Sequence, residues 1–322
     1  MKLKLLIIRL LKLDYLSIKS FIGFIIFISL SFPTIGCRQS TKIENKLINS
    51  EKPLVLTTFT VLADISRNIA GNRLIIQSIT KQGSEIHGYQ PTPSDLIRAS
   101  KADLIVENGL GLELWAKNFI ALAGDVPVVV LSEGMKPLFI SSDIYKGKPN
   151  PHAWMSPKRA IYYVDRLLDA FISLDPAGEE IYKRNADLYK RRLDLLDKQL
   201  TTSLNAIPED QRLIVSCEGA FSYLANDYGL QEAYLWPVNA ESQVTPKRMM
   251  NLIKVVKEKK VPAIFCESTV SSKAQLEVAR ITGAKFGGTF YVDSLSDDDG
   301  PAPTFIKLQM HNVNLLLQGL GK

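Results

Sequence analysis

Four side chains of metal-ligating type stand out by residue type and setting. His87 lies in Glu85-Ile86-His87-Gly88-Tyr89-Gln90-Pro91-Thr92-Pro93-Ser94-Asp95, and His152 in Asn150-Pro151-His152-Ala153-Trp154. Glu218 follows in Ser216-Cys217-Glu218-Gly219-Ala220-Phe221, and Asp293 in Tyr291-Val292-Asp293-Ser294-Leu295-Ser296. The spacings of 65, 66 and 75 residues draw each from a different part of the fold. If they meet, they meet at a cleft. Two imidazoles and two carboxylates form a borderline-to-hard donor set without thiolate. The carboxylates would neutralise a divalent ion, and four such residues can supply six donor atoms. That suits Mn²⁺ or Fe²⁺ and leaves no open position for a catalytic water. Raw affinity still favours Zn²⁺ over Mn²⁺, so a manganese preference must come from geometry and supply.

Each residue also has a plainer explanation. A histidine in a Gly/Pro-rich loop is usually a surface residue. An acid such as Glu218 before a helix is favourable there without any metal, and Asp293 could cap a turn. Their joint placement at loop positions is what argues for a site. His311 sits in the last helix among Leu308, Val313 and Leu315 and is assigned a structural role. A metal-dependent hydrolase would need an open coordination position and a separate base, for which only Glu267 offers itself. A Cys217 nucleophile would require a free thiol.

The elements that must position these residues alternate in type. Short apolar runs at 54–60, 74–80, 104–106 and 126–131 read as strands, with helices at 61–70, 92–100, 112–123 and 157–173. The pattern restarts after Pro208, with strands at 213–216, 233–236, 263–266 and 286–292 and helices at 221–228, 245–259, 272–282 and 304–317. Such alternation predicts parallel α/β sheets, which bind ligands at the carboxyl ends of their strands. Between the halves, Tyr182, Ala186, Tyr189, Leu193, Leu196, Leu200 and Leu204 recur at steps of four and three, one apolar stripe on a long helix. The expected organisation is an α/β lobe over 52–176, a linking helix over 177–207 and a second α/β lobe over 208–322.

Residues 1–36 read as a signal peptide, with a basic stretch to Lys19, an apolar run from Phe21 to Phe32 and small or turn-forming residues to Gly36. Cys37 then marks a lipidation site, and 37–51 a tether; ordinary secretion and an uncleaved anchor are the alternatives. The formal charge of +6 is mostly this leader. Residues 1–36 hold five of the 39 basic and one of the 33 acidic residues, leaving 34 against 32. Nothing there supports nucleic-acid binding. Cys217 and Cys266 each end an apolar run; in an oxidising compartment such a pair favours a disulfide over two buried thiols.

Over residues 53–322 the chain resembles the metal-binding solute-binding lipoproteins of ATP-binding cassette (ABC) importers, the cluster A-I periplasmic binding proteins that take up Mn²⁺, Zn²⁺ or Fe²⁺. The stretches around His87, His152, Glu218 and Asp293 match that family in order and spacing. The resemblance implies two Rossmann-like lobes with parallel sheets, joined by one long rigid helix that permits little closure. It implies the ion between the lobes on His87, His152, Glu218 and Asp293. It also implies a monomeric, non-enzymatic receptor, periplasmic or extracytoplasmic and anchored to the membrane through lipidated Cys37. Its partners would be a membrane permease and a cytoplasmic ATPase. The zinc branch has His where Glu218 stands and often a His-rich loop, so Glu218 points to manganese or iron. The cysteine pair resembles the cyanobacterial manganese-binding branch; there the disulfide would brace the loop carrying Glu218, and its reduction would weaken Mn²⁺ binding.

Overall fold

Short runs rich in aliphatic residues form the central strands, which are largely buried as the interior strands of parallel sheets are, while the flanking strands are partly exposed. In the computed structural model, which describes residues 52–141, 145–238 and 244–321, the first half contributes β1 (Leu54–Thr57), β2 (Ile75–Ser78), β3 (Leu104–Glu107) and β4 (Val128–Val130). All pair in parallel in the order β2-β1-β3-β4. The expected signal peptide 1–36, lipidated Cys37 and tether 37–51 lie outside the described residues. The connecting helices are α1 (Thr60–Ala70), α2 (Pro93–Ala99) and α3 (Ala116–Ala123). α2 starts as its sequence dictates. Thr92 Oγ1 accepts from Asp95 N, Asp95 Oδ2 accepts from Thr92 N at 2.8 Å, and Pro93 follows at the first helical position.

α3 begins four residues later than the apolar pattern from Leu112 predicts. Gly109, Leu110 and Gly111 all take positive φ, at 82°, 55° and 79°. The Glu113 carboxylate accepts from Asn108 N at 2.8 Å and Gly109 N at 3.2 Å, closing 108–113 into a tight loop. Leu114, which the pattern placed in the helix, is 71% exposed.

α4 (Pro157–Leu174) leads into α5 (Glu179–Asn205), about 40 Å long at 1.5 Å per residue. All seven stripe residues are buried, and the opposite face is mostly charged and polar, with Leu188 and Leu195 exposed on it. Beyond it come β5 (Leu213–Glu218), α6 (Ser222–Tyr228), β6 (Gln231–Trp236), α7 (Pro246–Glu258), β7 (Ala263–Glu267), α8 (Lys273–Thr282), β8 (Lys285–Phe290) and α9 (Phe305–Leu320). β5 pairs with β6 and β7 with β8, both in parallel. β5 lies alongside β7, where the Gln275 amide of α8 donates to Phe265 O at 2.9 Å and Val215 O at 3.5 Å. α5 packs against α1 and α4 on one side of the sequence and α6 and α9 on the other. From residue 52 onward these elements belong to one compact unit. No helix among the described residues is long and apolar enough to cross a membrane.

Because the stripe carries the packing of α5, Leu193→Ala, at a fully buried site, should cost about 2–5 kcal/mol of unfolding free energy. Leu195→Ala, at a position 66% exposed, should stay within about 0.5 kcal/mol. Urea unfolding of the two variants checks the contrast.

Candidate metal centre

His152 is held by local chemistry on both sides. Pro151 precedes it, and a single 3₁₀ turn (Ala153–Met155) leads to Pro157 at the start of α4. Its backbone N and its ring Nδ1 both lie 3.0 Å from Asn150 Oδ1, so Nδ1 carries the proton and Nε2 presents its lone pair. The ring packs against Trp154, whose Nε1 donates to Val292 O at 3.2 Å. The His87 loop is shaped by Glu85, whose two oxygens accept from His87 N at 2.6 Å and Gly88 N at 2.7 Å. Trp115 Nε1 fastens the same loop by donating to Ile86 O at 2.8 Å.

Glu218 ends β5, and α6 begins only at Ser222, so helix-end electrostatics do not account for an acid at 218. Asn150 Nδ2 donates to Gly219 O at 2.7 Å, which ties this corner to the His152 loop. Gly219 admits no side chain, since a Cβ would fall 2.8 Å from both Pro237 O and Tyr234 Cε1. Asp293 lies three residues past β8, in a loop gripped by the first half of the chain. Gly83 N donates to Ser294 Oγ at 2.7 Å, Leu295 N to Thr60 Oγ1 at 2.9 Å and Gln82 Nε2 to Ser296 O at 3.0 Å.

These elements bring His87, His152, Glu218 and Asp293 together, none more than 6% exposed. His87 Nε2 lies 3.3 Å from His152 Nε2, 3.3 Å from Glu218 Oε1 and 3.8 Å from Asp293 Oδ2. His152 Nε2 lies 3.9 Å from Glu218 Oε1 and 3.9 Å from Asp293 Oδ1. His87, His152 and Asp293 each bring a ligand atom within 4.8 Å of the others, and Glu218 Oε1 reaches His87 Nε2, spacings that a divalent ion on nitrogen and oxygen donors can bridge. Asp293 Oδ1 is buried and receives no hydrogen bond from the described residues. An acceptor left so is costly unless a cation satisfies it.

The protonation pattern follows from burial and charge. Burial pulls the His87 imidazole down, but the carboxylates of Glu218 and Asp293 outweigh it and hold the ring up at about 9. Burial draws His152 down to about 3, against the pull of Glu218. Burial raises Asp293 to about 8, with His87 opposing and Glu218 adding to the rise. Behind them Glu267 accepts from Glu218 N at 3.2 Å; burial, then the Glu218 charge, push its carboxyl well above the usual range. A buried carboxyl pushed toward its protonated form, with one oxygen already accepting from Glu218 N, is ill placed to act as a hydrolytic base. His311 is elsewhere, its Nε2 3.0 Å from Thr289 O and its ring edge-on to Tyr291. Cys217 and Cys266 are joined across the ends of β5 and β7, with Cα atoms 4.9 Å apart. Asn150, Ser294 and Thr60 have no assigned part in the sequence-level reading of the site. Asn150 alone had a signal, the Asn-Pro-His order.

Residues 55–319 match the family model described as the zinc-uptake complex component A, periplasmic. The chain is 44% identical to the iron-binding protein YfeA of Yersinia pestis over 297 residues, covering 92% of this chain and 96% of that one. It is 30% identical to the manganese ABC transporter substrate-binding lipoprotein PsaA of Streptococcus pneumoniae, covering 92% and 97%. Among solved structures it resembles the Mn-bound periplasmic metal-binding protein of Candidatus Liberibacter asiaticus. The TM-score is 0.78 at 34% identity, over 84% of this chain and all of that one. The chain belongs to the zinc-uptake component A family of metal-binding proteins, and it is a binding protein of transport rather than an enzyme.

The disulfide spans 49 residues and adjoins both Glu218 and Glu267. Replacing Cys217→Ser together with Cys266→Ser should lower unfolding free energy by about 2–4 kcal/mol and weaken divalent-metal binding through Glu218. Urea unfolding and Mn²⁺ titration of the double variant measure both, and unchanged affinity would show that the bond does not brace the site.

Proposed function

We propose that this member of the zinc-uptake component A family captures Mn²⁺ on His87, His152, Glu218 and Asp293. It then delivers the ion to the permease of an ABC importer driven by a cytoplasmic ATPase. The observation that carries the proposal is the convergence of these four buried donors, from segments 65 to 75 residues apart in sequence, on one point. The receptor acts outside the cytoplasm, as a monomer anchored through lipidated Cys37. Its lobes are 52–176 and 208–322, and 177–207 is the link between them.

The choice of ion follows from the donors. Asp293 turns Oδ2 toward His87 and Oδ1 toward His152, so both oxygens face the centre. A carboxylate so placed can bind through two oxygens and take the ion beyond four-coordination, toward the geometry of Mn²⁺ rather than tetrahedral Zn²⁺. Fe²⁺ shares that geometry, and the 44% identical relative is named as iron-binding, which favours Fe²⁺ as the second reading.

Protein purified without chelators should carry manganese, and Mn²⁺ should hold against Fe²⁺ under anaerobic competition. Asp293→Asn and Glu218→Gln should each weaken binding by more than the 10–100-fold that loss of an outer partner costs. Retained affinity in both variants would remove these residues from the site.

The protons on His87 and Asp293 must leave before an ion enters. With folded values of about 9 and 8, both groups carry protons at neutral pH, and metal binding should release them. The raised values favour the protonated, metal-free site below about 8, so affinity should fall at least tenfold per unit as pH drops below that value and level off above about 9. Calorimetry in buffers of different ionisation enthalpy counts the protons, and a pH-independent affinity would contradict the scheme.

A further inference from the structure

Behind His152 runs a chain of side chains that ends on a carboxyl group outside the four-donor cluster. His152 Nδ1 meets Asn150 Oδ1 at 3.0 Å. Asn150 Nδ2 donates to Gly219 O at 2.7 Å and to Ser222 Oγ at 3.1 Å, so both amide protons are spent and Oδ1 is left to accept. An amide turned the other way would set its N–H against the His152 backbone N–H. Ser222 Oγ lies 2.6 Å from Glu232 Oε2, and Phe221 N donates to Glu232 Oε1 at 2.7 Å. Glu232 stands on β6, half-buried, next to the strand that carries Glu218. Four polar side chains from one loop, a helix start and a strand thus form one directed series.

The direction of the series has a chemical consequence. Burial raises the Glu232 carboxyl to about 7, against the hydrogen bonds from Ser222 and Phe221 N; in its ionised form it accepts at both oxygens, and the single Ser222 hydroxyl proton then points to it. The Ser222 lone pairs then face Asn150 Nδ2 and reinforce the orientation that Gly219 O and His152 N already give the amide, with Oδ1 toward the imidazole. The imidazole must carry its proton on Nδ1, and Nε2 is left as an electron pair aimed at the centre. Hydrogen bonds that end on a carboxylate also raise the basicity of the imidazole they reach.

We propose that Glu232 is a positioning residue for metal capture. Acting through Ser222 and Asn150, it fixes the tautomer and direction of the His152 ring. This inference rests on His152 being a metal ligand, as proposed above.

The test compares Glu232→Gln, Ser222→Ala, Ser222→Thr and His152→Ala with the wild type. Mn²⁺ affinity is read by competition with a chromogenic chelator, and the ligand field by the visible absorption of the Co²⁺ form. Glutamine must turn an N–H₂ toward either Phe221 N or Ser222, which breaks or reverses the series. E232Q and S222A should each bind Mn²⁺ 10–100-fold more weakly, with shifted Co²⁺ bands. S222T, which keeps the hydroxyl, should match the wild type in both readouts. Thermal unfolding of the metal-free variants establishes that they are folded, and if E232Q is not, the S222A and S222T pair decides. Wild-type affinity and spectra in E232Q and S222A, with binding lost in H152A, would overturn the positioning role alone. Equal losses in S222A and S222T would reduce it to packing. Undiminished binding by H152A would remove the ligand itself, and this proposal with it.

Discussion

Glu218 and Asp293 are both 2% exposed and face the same two imidazoles, with Glu267 buried directly behind. Acids this close and this dry cannot all ionise together. Burial and mutual charge push Glu267 and Asp293 up toward their protonated forms, and the facing carboxylates hold the His87 ring up as well. A divalent ion can take the place of those protons. Its affinity is then a difference between two ways of neutralising the same cluster.

Holding such groups together needs a frame stiffer than the loops that carry them. Much of it comes from short polar contacts that cross the sequence. The Asp293 loop follows α5 in the chain, yet Thr60, Gln82, Gly83 and Trp154 from before α5 hold it. Asp64 adds a further tie by accepting from Phe305 N at 2.9 Å. Three of the four donors are therefore fastened mainly to the first half of the molecule. Glu218 is the exception, joined to that half through Asn150 and its bonds to Gly219 and Ser222. Neighbouring ties reinforce this link, with Tyr223 OH donating to Asn150 O at 2.9 Å and Arg159 paired with Asp227. α5, with its unbroken buried stripe, offers no hinge for a larger movement.

What was legible in the sequence divides along the same line. The periodicity of α5 named all seven of its buried residues, because one apolar stripe has one way to bury itself. The Thr92-Pro93 start of α2 was equally plain, since its cap is made within four residues. The start of α3 was not, because positive φ at Leu110 and the Glu113 carboxylate, rather than hydrophobic period, set where the helix can begin. The four donors were visible as residue types in loops, and the family's motifs singled them out. Their partners were hidden. Thr60 lies 235 residues from Leu295, and Glu232 carries no mark in its own strand that links it to His152. Contacts of that separation leave no local pattern to read.

On the proposed reading, a preference for manganese would have to come from how firmly this frame sets the four side chains, since the Irving–Williams order works against manganese wherever ligands can rearrange freely. His152 is fixed at Nδ1 by Asn150, and its Nε2 cannot turn away without breaking that bond. Asp293 is fixed from its neighbours Ser294 and Leu295, with both oxygens directed inward. A smaller or strictly four-coordinate ion would have to pull one Asp293 oxygen aside, and that oxygen would return to a buried position without a donor. An ion that accepts both oxygens leaves none orphaned. Discrimination on the proposed reading would therefore be a penalty imposed on the competitor rather than an extra bond granted to the chosen metal, which is how a site can resist an ion that binds more strongly in free solution.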